Sequence, residues 1–114
     1  MTKKIVNFVV LTLVTSLLQF SFTSPANAAS CTKKELKALS ALNTEMVLQY
    51  FTGDLSPVFS KISKAKKATT KKSLKSFLTK LENAIEENGG YSGNGNPAND
   101  VWLQLSTKIE YKRC

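Results

Sequence analysis

Apolar residues beyond position 31 recur at intervals of three and four, which is the spacing of an amphipathic α-helix. Thr32 and Glu35 form a capping-box pattern at the start of the first stripe, and Gly53 interrupts it. The pattern therefore predicts a first helix over residues 32–52. Its apolar positions are Leu36, Leu39, Leu42, Met46, Val47 and Tyr50.

Two further stripes follow, and they do not share one helical face. The first consists of Val58, Phe59, Ile62, Ala65 and Thr69, and the second of Leu74, Phe77, Leu78, Leu81 and Ile85. At about 100° per residue the two stripes point in directions roughly 130° apart, so one straight helix cannot bury both. We therefore predict two helices, over residues 56–68 and 72–88. Ser56 is the expected cap of the first, with Pro57 at its first helical position, and Gly89 ends the second.

The last segment begins after a glycine-rich loop over residues 89–96. Its apolar residues fit both the alternation of a strand and the stripe of a helix. Asn96 and Pro97 are helical start signals, and no partner strand exists elsewhere, so the sequence favours a helix over residues 97–112.

The N-terminus has the organisation of a secretory signal peptide. Lys3 and Lys4 precede an apolar run over residues 5–22, and small residues then end at Ala28. Polar residues interrupt the run and no basic stop signal follows closely, which disfavours a retained membrane anchor. We predict cleavage after Ala28, which makes residues 1–28 the leader and residues 29–114 a single exported helical domain.

Cys31 and Cys114 stand near the two ends of this processed chain. An even pair of cysteines in an exported domain of 86 residues is typical of a stabilising disulfide. A bridge between two chains is the alternative, with a monomer favoured. Lipidation of Cys31 is disfavoured because it would leave Cys114 unpaired.

This disulfide also bears on the number of helices. In a bundle of three helices the two cysteines would lie at opposite ends, roughly 25 Å apart. A disulfide requires Cα atoms within about 7 Å. Four helices place both cysteines at the same end. The sequence therefore predicts an all-α fold, a small antiparallel bundle of four helices rather than three, closed by one terminal disulfide.

The chain has 16 basic and 8 acidic residues, and the excess is concentrated in residues 55–81, the lysine segment, which contains no acid. Such a segment attracts an anionic polymer or a membrane surface. Arg113 is the only arginine, and Phe59 and Phe77, the two aromatic residues of the segment, lie on the apolar stripes, so no sequence-specific recognition of nucleic acid is expected. A purely solubilising role is the alternative. The candidate anion-binding residues are Lys61, Lys64, Lys66, Lys67, Lys71, Lys72, Lys75 and Lys80.

Enzymatic function has little support in the composition. The chain has no histidine and two cysteines, which excludes histidine-based catalysis and a Cys/His zinc site, and we expect no cofactor and no metal. The sequence favours a secreted non-enzymatic protein that binds an anionic surface or polymer. The alternative is an interaction or inhibitor-like module that contacts a protein partner through Tyr91, Asn94 and Asn96 of the glycine-rich loop.

Overall fold

The computed structural model describes residues 29–114, and within this range it contains four α-helices and no β-strand. One isolated antiparallel bridge joins Ser30 to Arg113. The all-α fold with four helices is confirmed, including the helical form of the last segment. The helices are α1 (Lys33–Leu48), α2 (Ser56–Lys67), α3 (Lys72–Asn88) and α4 (Pro97–Tyr111). The predicted leader and its cleavage after Ala28 lie outside the described residues.

The four helices form a ring around one core. α1 packs beside α2 and α4, α3 packs beside the same two helices, and the Cα atoms of the diagonal pairs stay more than 8 Å apart. Every helix contributes most of its predicted apolar stripe to the core, with Leu39 and Leu42 from α1 and Ile62 from α2 fully buried. The bundle therefore runs up, down, up and down. None of the helices in this part of the chain is long and apolar enough to cross a bilayer.

The helix ends follow the sequence signals in three cases. Thr32 and Glu35 make both hydrogen bonds of the capping box, Asn96 caps α4, and Gly89 ends α3 in the left-handed conformation with φ 64°. The expected cap at Ser56 is wrong, because Ser56 is already the first residue of α2. Its N–H instead donates to a carboxylate oxygen of Asp54 at 3.2 Å.

The C-terminal part of α1 also differs from expectation. The helix ends at Leu48, and residues 49–52 continue as turns. Val47, which we assigned to the buried stripe, is 53% exposed. Val47 makes the predicted stripe too wide, because a residue adjacent in sequence to Met46 lies about 100° away from it around the helix axis.

The disulfide joins Cys31, before α1, to Cys114, after α4, with 4.9 Å between the Cα atoms. Backbone hydrogen bonds reinforce it, from Cys31 to Lys112 and from Cys114 to Ala29. The hydroxyl of Ser73 at the start of α3 donates to the Cys114 carbonyl at 3.0 Å. Both chain segments therefore meet at the end of the bundle that also contains the turn between α2 and α3.

Candidate functional site

The up-down-up-down order collects basic residues from all four helices at one end of the bundle. This end contains the disulfide, the first halves of α1 and α3, and the second halves of α2 and α4. Twelve basic residues lie there against two acidic ones, Glu35 and Glu110. We call it the basic end, and its basic residues are Lys33, Lys34, Lys37, Lys64, Lys66, Lys67, Lys71, Lys72, Lys75, Lys108, Lys112 and Arg113.

The opposite end of the bundle has the reverse charge. Among residues 29–114 it contains five acidic residues and no basic one, while Lys61, Lys80 and Glu82 lie near the middle of their helices. Charge is thus separated along the bundle axis. We call this the acidic end, and its acidic residues are Glu45, Asp54, Glu86, Glu87 and Asp100.

Half of the basic end lies outside the lysine segment and was missed from the sequence. These six residues are Lys33, Lys34, Lys37, Lys108, Lys112 and Arg113. Within residues 29–114, the part outside the lysine segment has six basic and eight acidic residues, and this slightly negative balance concealed them. The predicted order of helices carried the necessary signal, because it places the start of α1 and the end of α4 beside the turn between α2 and α3.

The structure separates the predicted lysines by environment. Four of them are exposed at the basic end, namely Lys64, Lys67, Lys72 and Lys75. Lys80 is exposed and Lys61 is half-buried, and both stand away from that end, near the middle of the bundle. The eight lysines therefore do not form one uniform surface.

The remaining two predicted lysines form ion pairs. Lys66 Nζ lies 2.8 Å from an Oε atom of Glu82 on α3, and both side chains are partly exposed. Lys71 Nζ lies 2.6 Å from Glu35 Oε1, and this carboxylate is almost completely buried. Lys71 is therefore engaged in a structural ion pair with a buried carboxylate. The Lys66–Glu82 pair is partly exposed, and such pairs contribute little to stability.

Glu35 is the centre of a hydrogen-bond network beneath the basic end. Its Oε1 accepts from Lys71 Nζ and from the Thr32 N–H at 2.8 Å, and its Oε2 accepts from the Thr69 hydroxyl at 2.5 Å. Burial opposes ionisation and would raise the Glu35 pKa, but the hydrogen bonds from Lys71, Thr69 and Thr32 outweigh it and lower the pKa to about 2. The carboxylate thus stays ionised with every donor directed at it.

Lys108 is a half-buried member of the basic end. Its Nζ stands 5.1 Å from the centre of the Phe77 ring, within the range of a cation–π contact. Burial lowers the pKa of Lys108. This lysine therefore packs the α3–α4 interface as well as adding charge.

Two of the three candidate residues of the glycine-rich loop make contacts that stabilise the fold. Tyr91, expected as a contact residue, is only 3% exposed, and its hydroxyl donates to the backbone carbonyl of Met46. Burial first, and then the charge of Glu45, raise the Tyr91 pKa to about 12. Asn96 caps α4 and donates to two loop carbonyls, which leaves Asn94 as the exposed one of the three loop candidates. Tyr91 and Asn96 are therefore engaged within the fold, and the interaction-loop alternative stays a prediction.

No group of three acidic or cysteine side chains within residues 29–114 is arranged to hold a metal ion. The surface with the most distinctive chemistry in this range is the basic end. Comparison of the chain with protein-family models, with curated proteins and with solved structures found no match.

Proposed function

We propose that this protein is a small exported, non-enzymatic module that binds an anionic polymer or membrane surface through its basic end. The observation that supports the proposal is the separation of charge along the bundle. Twelve basic residues share one end with two acidic residues, of which Glu35 is buried and paired.

The exposed part of the basic end is broad. Exposed lysines stand at the start of α1, at the end of α2 and at the start of α3. Because these charges are on separate helices held by one core, a polyanion meets several of them at once without ordering a flexible segment. The summed potential of such a surface raises the association rate and falls steeply with salt.

The chemistry of the basic end sets its selectivity. The ammonium group of lysine acts as a point charge. The guanidinium group of arginine instead binds a phosphate or the edge of a base through two directional hydrogen bonds. Eleven of the twelve bases are lysine, so binding depends on the density of negative charge and not on sequence. A polyanion is the expected ligand class.

The experiment compares retention on heparin and binding to anionic vesicles across three lysine-to-glutamine variants. The first changes Lys33, Lys34 and Lys37, which are exposed on α1. The second changes Lys64, Lys67 and Lys72, which are exposed at the same end in the lysine segment. The third, a control, changes Lys61 and Lys80, near the middle of the bundle.

We expect the first two variants to weaken binding by about fivefold for each lysine removed, and the control to weaken it much less. Loss in the second variant and the control but not in the first would assign binding to the lysine segment instead of the basic end. No salt-dependent retention of the unmodified protein at low ionic strength would overturn the proposal.

A further inference from the structure

Exposed apolar side chains are concentrated at the acidic end. Of the five large apolar residues that are exposed among residues 29–114, three lie within five positions at the end of α1. Val47 is 53% exposed, Leu48 62% and Phe51 91%. Phe51 follows Val47 by four positions and Leu48 by three, in the turn that continues from α1. We call these three residues the apolar patch.

The apolar patch is anchored on a rigid aromatic cluster. Phe51 contacts Tyr50 edge to face with 5.0 Å between ring centres, and Tyr50 lies 5.8 Å from Trp102 of α4. Trp102 in turn contacts the buried Tyr91 at 5.1 Å and donates from its indole N–H to Asn43 at 2.8 Å. The side chains beneath Phe51 are therefore fixed by both α1 and α4, although Phe51 itself is open to solvent.

Acidic residues flank the apolar patch along the chain. Glu45 precedes Leu48 by one helical turn, and Asp54 follows Phe51 by three residues. Glu45 is close enough to Tyr91 for its charge to act on that hydroxyl. The patch thus combines exposed apolar contact area with negative charge, which is the complement of a cationic amphipathic segment.

From this complementarity we propose that the apolar patch binds a cationic amphipathic segment of a partner protein, with its apolar side chains on Phe51 and Leu48. An anionic membrane does not fit, because the acidic end would be repelled. A second copy does not fit either: two acidic ends repel each other. The basic end of another copy exposes Tyr111 but has none of the other four exposed large apolar residues. This inference is independent of what the basic end binds.

The test titrates the disulfide-bonded protein with a short synthetic helix of leucine and lysine only. Trp102 is the only tryptophan of the chain, and it touches the cluster beneath the patch, so its fluorescence reports occupancy. We expect saturable binding that weakens at least about tenfold in Phe51→Ser and in Leu48→Ser. Tyr111→Ser, which removes an exposed aromatic ring at the other end, should bind like the unmodified protein.

Two further measurements keep the proposal falsifiable. Asp54→Asn changes charge without touching the apolar side chains, and we expect it to weaken binding of the leucine and lysine helix as well. Equal binding of a serine and lysine peptide would show that charge alone suffices and would overturn the proposal. Concentration-dependent dimers in sedimentation that Phe51→Ser abolishes would also overturn it, because a second copy would then cover the patch.

Discussion

The Lys71 ammonium lies 2.6 Å from the Glu35 carboxylate and thereby joins the turn between α2 and α3 to the first turn of α1. The two residues are 36 positions apart in the chain. Glu35 also completes the capping box of α1, so a single side chain both starts a helix and holds a neighbouring turn in place. The lysine segment is thus partly a structural element.

Lys71→Ala should lower the free energy of unfolding by about 2 to 3 kcal/mol, because it leaves the buried Glu35 charge without its cation. The adjacent Lys72 is exposed, and Lys72→Ala should change stability by no more than about 0.5 kcal/mol. Urea unfolding of both variants checks the difference. Equal effects of the two substitutions would mean that the Lys71–Glu35 pair contributes nothing.

We expect protonation of Glu35 to make the free energy of unfolding depend on pH. Its pKa in the folded protein is lowered from 4.5 to about 2, so between these values the unfolded chain binds more protons and stability falls as the pH falls. The contribution is complete above about pH 4.5 and is lost toward about pH 2. We expect it to be about 2 kcal/mol, less than the full shift implies, since the cationic partner Lys71 is partly exposed and solvent screens its charge.

Glu35→Gln is the matched control for that pH effect, because the amide keeps hydrogen-bonding capacity and does not titrate. Urea unfolding near neutral pH and near pH 2.5 should show a smaller loss of stability on acidification in this variant than in the unmodified protein. Identical losses in both proteins would contradict the role of Glu35.

Tyr91→Phe should cost about 1 to 2 kcal/mol of stability. The substitution removes the hydroxyl that donates to the Met46 carbonyl near the end of α1, and it leaves that buried acceptor without its donor. Tyr111→Phe, at an exposed position, should be nearly neutral. Thermal unfolding of the two variants distinguishes them, and a neutral Tyr91→Phe would show that water replaces the hydroxyl.

Replacing both Cys31 and Cys114 by serine should lower stability by about 4 kcal/mol in the chain-entropy view, because the disulfide closes a loop with a sequence separation of 83. The helical content of the variant at low temperature should remain, since the core is built from other residues. Circular dichroism during denaturant unfolding measures both. An unchanged denaturant midpoint would mean that the disulfide contributes nothing to stability and that the core alone stabilises the fold.

The helices could be predicted because their signals are local. The spacing of apolar residues predicted which face of α3 is buried, and Asn96 with Pro97 marked the start of α4. The number of helices required one long-range argument, from the disulfide. The burial of Tyr91 could not be predicted, because it depends on how the loop packs against the end of α1, and no local sequence pattern encodes that packing.

The candidate site shows the same division between local and tertiary information. Composition identified the lysine segment, but it gave no means of telling Lys71 from Lys72, since only the position of Glu35 in space separates them. The bases of α1 and α4 joined the same surface through topology. The sequence therefore predicted that the surface is positively charged, and the fold determined which residues belong to it.

The separation of charge along the bundle gives the molecule an electric dipole parallel to its helices. Near a negatively charged surface such a dipole is turned before contact, so that the helices stand upright with the disulfide toward the surface. With a rise of 1.5 Å per residue, the 17 residues of α3 then hold Phe51 roughly 25 Å above that surface. A protein anchored in this way would act as a spacer that presents one defined face to the surrounding solution.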